Sequence, residues 1–248
     1  MRVIQSLSKK LLGALLLTAT TASFALPLSA EFLTPYSAKY DAFRGGSKVG
    51  HAEMSLELMG ENKYKLSFSS KASLFFFSDK REEVSLFSKS DEQLIPYKYT
   101  FKQDNTFKDR ALALEFNKEE NTIFMSGDRS MEWQGELDHQ LYRLEAQKAL
   151  KAGKKEFELA LVNYRGQKKQ YAFKVEGEET LELPYGEVKT IKVQTIRQNK
   201  KRTTYTWFAP DLNYLLVRIQ QFKDGDEQGD IRLSKFVTDS AVKSEHKS

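Results

Sequence analysis

The feature that most constrains this chain is a hydrophobic period of two. Met54, Leu56 and Leu58 alternate with Glu53, Ser55 and Glu57; after Gly60-Glu61-Asn62, Tyr64, Leu66 and Phe68 alternate with Lys65, Ser67 and Ser69. A helix needs a period near 3.6, whereas one apolar and one polar face every second residue is what an antiparallel strand wetted on one side requires. The rhythm returns at Tyr97, Tyr99 and Phe101, at Leu112, Leu114 and Phe116, at Phe157, Leu159 and Leu161, and at Tyr171, Phe173 and Val175. Gly, Asn, Asp or Pro punctuate the joins, as at Gly45-Gly46, Arg165-Gly166 and Asp224-Gly225. The pattern predicts about a dozen strands. The expected fold is mainly β, a large antiparallel curved sheet or open barrel.

One stretch breaks the rhythm. In "LDHQLYRLEAQKAL", residues 137–150, Leu137, Leu141 and Leu144 fall at helical spacing among good helix formers, and Gly153 is placed to end the segment. This predicts one central helix over about 137–152, joining two β halves or plugging one side of the sheet.

The first thirty residues differ in kind. Arg2, Lys9 and Lys10 precede an apolar core from Leu11 to Leu17, and small residues offer cleavage after Ala25 or after Ala30. That is the layout of a secretory leader; a retained anchor is the alternative, but the run is shorter than the roughly 20 apolar residues a spanning helix needs. The expected organisation is a leader over 1–30, one β-rich domain over 31–238 and a solvated tail over 239–248, with the mature chain in the periplasm. The formal charge of +5 falls to a mild +2 without residues 1–30, which argues against a nucleic-acid partner. With no cysteine there is no disulfide frame, no thiolate nucleophile and no thiolate metal ligand.

Catalytic patterns are missing. His51, His139 and His246 lack metal spacing, and a solvent-facing or capping role fits His139 better than catalysis. Asp224, Asp226 and Gln228 start like a calcium loop, but Lys235 stands where a bidentate Glu is needed, so a polar hairpin turn is the better reading. Glu82 and Glu83 beside Arg81, or Asp104 and Asp109, are the carboxylates a glycan-acting enzyme would use, a third choice that no spacing supports. No cofactor, metal ligand or catalytic residue is expected.

Binding is the stronger expectation. The consecutive Phe75, Phe76 and Phe77 cannot all face one side of a strand; they fill a buried turn or line an apolar mouth. Tyr97, Tyr99 and Trp207 likewise either fill a core or line a pocket, and together with the three phenylalanines they are the candidate ligand-binding residues. The basic cluster with Arg197, Lys200, Lys201 and Arg202 is either a solvated hairpin tip or a contact for a membrane surface. In "TYTWFAPDLNYLLVRI", Pro210 belongs in a turn, and Trp207 can bury its ring beside it while the indole N–H finds a carbonyl.

Several of these residues carry a resemblance. Tyr36, Tyr40 and Gly50, Leu94-Ile95-Pro96 leading to Tyr97 and Tyr99, "LELPYG" from Leu181 to Gly186, and Trp207-Phe208-Ala209-Pro210 followed by Leu216-Val217-Arg218-Ile219 resemble the exported bacterial "domain of unknown function 3108" family. Leu216 stands where such proteins often carry a proline, and Glu92 where a glycine often precedes the Leu-x-Pro turn. The resemblance implies a periplasmic, β-rich protein and brings no activity with it. Residues and resemblance together point to a non-enzymatic binder of an apolar or amphipathic envelope ligand, a lipid or lipoprotein, or a factor in envelope assembly. The alternative is a protein–protein interaction module that docks by a strand edge or aromatic patch.

Overall fold

The computed structural model describes residues 32–74, 76–91, 93–197 and 201–238; the leader over 1–30, Phe75, Glu92, Lys200, and the tail with His246 lie outside them. The first half of the chain forms β1 (Tyr36–Arg44), β2 (Ser47–Gly60), β3 (Lys63–Leu74), β4 (Phe77–Ser90), β5 (Gln93–Asn105), β6 (Arg110–Asn117), β7 (Thr122–Met125) and β8 (Arg129–Glu132). Helix α1 (Leu141–Lys151) follows. The second half is β9 (Glu156–Val162), β10 (Lys168–Leu183), β11 (Gly186–Ile196), β12 (Arg202–Ala209), β13 (Leu215–Lys223) and β14 (Asp226–Thr238).

All fourteen strands join one antiparallel sheet in the order β8-β7-β6-β5-β4-β3-β2-β1-β14-β13-β12-β11-β10-β9. Each half is a meander, so alternation sets the register: Met54 faces Phe68, Leu56 faces Leu66, and Leu58 faces Tyr64. β1 pairs with β14 from Tyr36↔Thr238 to Phe43↔Asp230, which puts the two ends of the domain in the middle of the sheet. The sheet is curved and open, with β8 and β9 as its two ends, as the alternating pattern required.

Helix α1 fills the side of the sheet that carries the apolar rows. Tyr142 lies 6.0 Å from Phe173 in a stacked arrangement, and the Arg143 guanidinium sits 4.8 Å from the centre of the Phe68 ring. The helix is shorter than the expected 137–152. Asp138 accepts the N–H groups of Gln140 at 2.7 Å and Leu141 at 3.0 Å, capping the first turn and holding residues 137–140 outside the helix. At the other end Gly153 takes the left-handed conformation (φ 76°) and its N–H reaches the Leu150 carbonyl at 2.9 Å.

One other local expectation changes, and one holds. Leu94-Ile95-Pro96 lies inside β5, not in a turn; the turn precedes it at Asp91, which has φ 51°. Pro96 is tolerated because the register slips opposite it, between Leu86 and Phe87, where one ladder bond is already lost. Asp224-Gly225 closes the β13–β14 hairpin with both residues at positive φ (52° and 91°), the conformation that favours Asp-Gly.

Trp207 is 2 % exposed. It pairs across the sheet with Lys192 and Arg218, on the opposite face from its neighbours Thr206 and Phe208. Its indole N–H donates to the Glu179 carboxylate at 2.6 Å, not to a carbonyl, and the Arg218 guanidinium lies 4.6 Å from the ring. Arg218 in turn makes a two-point ion pair with the buried Asp230, at 2.9 and 2.7 Å. Truncating such a ring removes a large buried area and the indole donor to Glu179, which keeps its Lys192 ion pair at 3.7 Å. Trp207→Ala is therefore expected to cost about 3–5 kcal/mol, read as a drop in the denaturant midpoint with an unchanged m-value.

Candidate functional site

A sheet with two free ends leaves a seam, and here the chain between β8 and α1 runs along it. The Leu137 N–H donates to the Ala160 carbonyl at 3.0 Å, and the Val162 N–H donates to the Leu137 carbonyl at 2.8 Å, a single parallel bridge to the outer edge of β9. A second small core closes the seam farther along: Val162 and Tyr164 pack with Tyr99, Phe101, Leu112 and Phe116, the Phe101 and Tyr164 rings lying 5.2 Å apart. Between these closures a cleft of about 610 Å³ remains. Leu94, Ile95 and Pro96 of β5 form one wall, Glu158, Leu159 and Ala160 of β9 another, with Trp133 and Leu137 between them and Glu145 and Lys148 of α1 alongside. The volume lies in the range of small-molecule sites, and a lining that is about half apolar and half polar suits an amphipathic guest. The segment is held by Glu136, whose carboxylate accepts the Gln134 N–H at 2.7 Å and the Lys168 ammonium at 2.6 Å, while its carbonyl accepts the Trp133 indole N–H at 2.9 Å.

Beside the seam, under the first turn of α1, lies a buried polar cluster. Glu83 of β4 accepts the Tyr99 hydroxyl at 2.7 Å and stands 3.0 Å from Nδ1 of His139. Ser85 donates to Asp138, and the Arg143 guanidinium donates to Gln140 at 2.7 Å. His139 thus packs between Glu83 and the Tyr142 and Tyr164 rings, not toward solvent. Burial alone would raise the Glu83 carboxyl, but the His139 ring, the Arg143 guanidinium and the Tyr99 hydroxyl hold it down to about 2. For Asp138 burial wins: despite the Ser85 hydroxyl and two backbone N–H groups, it is pushed up to about 6, and the nearby Glu83 charge adds to the shift. The set contains serine, histidine and carboxylates, but the serine donates to the carboxylate and the histidine touches another carboxylate. A nucleophile–base pair of the serine-hydrolase kind is not formed.

The candidate residues named from the sequence do not converge. Phe76 is 95 % exposed at the β3–β4 tip with Phe77 beside it, whereas Tyr99 is fully buried against Glu83. Tyr97 borders a separate hollow of about 560 Å³ with Lys98, Glu115 and Phe124, and Trp207 lies in the other half of the sheet. Glu82 and Glu83 occupy opposite faces of β4, the former paired with Lys80 at 2.8 Å, and Asp109 accepts the Asn105 N–H at 3.2 Å. Among the described residues no group of three His, Cys, Asp or Glu gathers to hold a metal ion. In the sequence Leu94, Ile95, Leu137 and Leu159 read only as strand, turn or helix residues and Trp133 has no pattern of its own, because a wall built from two distant strands leaves no local signal of a cleft. Asp138 three residues before Leu141 was a legible capping signal.

The two carboxyls give stability opposite pH dependences. Glu83 titrates below its ordinary 4.5, so its contribution is present above that pH and lost as pH falls toward about 2. Asp138 titrates above its ordinary 3.8, so the fold loses stability as pH rises from there to about 6. Asn keeps the capping oxygen, and Asp138→Asn is expected to gain on the wild type across that interval, by at most about 3 kcal/mol. Glu83→Gln is expected to be destabilised at neutral pH, with the deficit closing in acid. Thermal melts of both variants against pH check the two signs.

Comparison with known proteins places this architecture. No curated protein matches the chain. A crystal structure of a beta-barrel-like protein with the domain of unknown function DUF1849 from Brucella abortus covers 83 % of this chain and 98 % of its own, with TM-score 0.61 and 10 % identity, and shares the fold. A protein of Parabacteroides distasonis provisionally described as a lipoprotein aligns at TM-score 0.34 and 12 % identity over 82 % of this chain and 95 % of its own. One from Bacteroides fragilis, provisionally described as exported and with a YmcC-like fold, aligns at 0.33 and 11 % over 82 % and 95 %. The match that spans most of the sequence is to a family of proteins of unknown function, over residues 36–232, and the chain belongs to that family, DUF3108.

Proposed function

We propose that this is a non-enzymatic binding protein of the bacterial cell envelope that takes an apolar or amphipathic ligand in the seam cleft, as a carrier or a factor in envelope assembly. The observation that carries the reading is the cleft itself: about 610 Å³ at the seam, where the apolar side chains of Leu94, Ile95, Trp133, Leu137 and Leu159 alternate with about as much polar surface, including Lys118, Glu145, Lys148 and Glu158. A lone acyl chain or an extended amphipathic segment fits such a slot, and the cations suit a headgroup or carboxylate. The N-terminal layout of a secretory leader supports an address in the periplasm. Helix α1 occupies the interior that a deep barrel pocket would use, so the ligand lies along the seam and not beneath the sheet.

A second reading has its own observation. Ala160 and Val162 direct backbone groups outward to Leu137, and the same alternation turns the free groups of Glu156 and Glu158 outward with no partner among the described residues. A partner's extended segment can add there as a strand, which would make the protein an interaction module.

Trp133 lines the cleft and reports on its occupancy. A lysophospholipid added below its micelle concentration is expected to shift the tryptophan emission of the wild type saturably. The double variant Ile95→Lys, Leu159→Lys is expected to abolish the shift while keeping a cooperative melt. No saturable shift in the wild type, or the same shift in the blocked variant, sinks the ligand reading; strand addition is then tested with peptides against the same variant.

A further inference from the structure

Antiparallel succession sends alternate turns to opposite ends of the strands, so this sheet has two rims of different composition. The β1–β2, β3–β4, β5–β6, β7–β8, β9–β10, β11–β12 and β13–β14 turns share one rim. Direct bonds show it: the Gly45 N–H donates to Glu227 at 2.9 Å, the Asp224 N–H to the Lys201 carbonyl at 2.8 Å, and the Thr106 N–H to the Ser78 carbonyl at 3.1 Å. That rim exposes Arg44, Lys108, Arg110, Arg165, Lys201 and Arg202, and among them the acids Asp109, Asp128, Asp224 and Asp226, so its described cations outnumber its exposed acids without excluding them. Several of its acids are already engaged: Asp79 holds Arg81 at 2.7 Å and Asn105 at 2.9 Å, and Glu227 holds Gly45 and Gln220. The opposite rim, made by the β2–β3, β4–β5, β6–β7, β10–β11 and β12–β13 turns, exposes Glu61, Asp91, Glu119, Glu120, Glu187 and Asp211, with Lys63, Lys118 and Lys189 among them, and its turns are net acidic.

The basic rim also carries the most exposed aromatic side chains. Phe76 is 95 % exposed, Phe107 78 % and Phe77 50 %, and the Phe77 and Phe107 rings meet at 5.2 Å across two neighbouring hairpin tips. The tips are fastened to each other. Ser78 N–H donates to the Thr106 hydroxyl at 2.8 Å, and Asn105 accepts the Phe107 N–H at 3.0 Å while its amide reaches Asp79. Apolar rings held this far into solvent cost free energy unless something covers them. Neither the seam cleft nor the hollow beside Tyr97 includes them. The acidic rim exposes Leu58 and Met59 as well, but beside Glu57 and Glu61, where an anionic surface would be repelled.

We infer that the basic rim docks on an anionic phospholipid bilayer, with Phe76, Phe77 and Phe107 entering the headgroup boundary and Lys108, Arg110, Lys201 and Arg202 facing the phosphates. Protruding rings flanked by cations match a surface that is anionic outside and apolar just beneath. A protein partner would need a receptacle shaped to two separate hairpin tips, whereas a bilayer accepts them without one. The inference does not depend on the seam cleft, whose residues it leaves untouched.

The test uses residues 31–248, which hold every strand and lack the apolar N-terminal stretch. Sedimentation with vesicles of phosphatidylglycerol and phosphatidylcholine is expected to recover the protein, with binding that weakens as salt rises, and pure phosphatidylcholine vesicles are expected to recover far less. The triple variant Phe76→Ser, Phe77→Ser, Phe107→Ser is expected to bind at least tenfold more weakly with an unchanged melt, since the three rings are at least half exposed. Lys108→Glu, Lys201→Glu, Arg202→Glu is expected to abolish binding. The control Lys63→Glu, Lys89→Glu, Lys189→Glu changes net charge equally on the other rim and is expected to bind like the wild type. Three results overturn the inference: no binding by the wild type, equal loss in the control, or wild-type binding by the phenylalanine variant. Recovery with a membrane protein but not with protein-free vesicles also overturns it.

Discussion

Ionised groups sealed between a helix and a strand set how this sheet is filled. Glu83 and Arg143 are both buried, one on β4 and one in α1; His139 first, then Arg143 and the Tyr99 hydroxyl, hold Glu83 ionised, and Tyr142 with Glu83 supports the Arg143 charge. A set of this kind adds little net stability over a well-packed apolar core, because desolvation consumes most of the Coulomb energy. Its value is positional: removing one member leaves an uncompensated charge, so the helix has one seat. Asp138 extends the arrangement by capping α1 and holding Leu137 outside the helix, where it bridges to β9. The cleft at the seam therefore owes its shape to polar groups that never reach it.

The sheet was legible in the sequence because its physics is local. An alternating segment such as Met54–Leu58 announces its strand and its buried face within five residues, and Asp224-Gly225 announces its turn within two. The helix was legible for the same reason, and its start was misread only where Asp138 and Leu137 answer to tertiary partners. What could not be read depends on pairs far apart in the chain. Arg143 looks like any helix cation until Phe68 and Glu83 are brought against it. Pro96 reads as a turn until the register slip opposite it shows why a strand tolerates it. Phe107 has no pattern of its own, and only the strand order sets it beside Phe77.

Net charge hid the polarity of the molecule. A mild overall balance says nothing about its distribution along the strand axis, yet the turns at one end are net basic and carry exposed phenylalanines while those at the other are net acidic. The seam cleft begins near the acidic turns, with Leu94–Pro96 just after the β4–β5 turn and Lys118 within the β6–β7 turn. The cleft and the phenylalanine-bearing rim thus lie toward opposite ends of the same strands, and each is open to substitution without disturbing the other.

The pairing of β1 with β14 has a kinetic consequence. Tyr36 and Thr238 are partners, so the central ladder of the sheet is also its longest-range contact. A chain made from its N-terminus can zip β1 through β8 as local hairpins, but the second edge of β1 stays bare until the last strand has emerged. For that whole interval a half-built sheet offers a ready template to any other strand. Lys39 and Asp41 stand on that waiting strand on the face away from the core, where in the finished fold they pair with Glu53 and Lys48 of β2, and charges on an exposed edge are what disfavours pairing with a wrong strand.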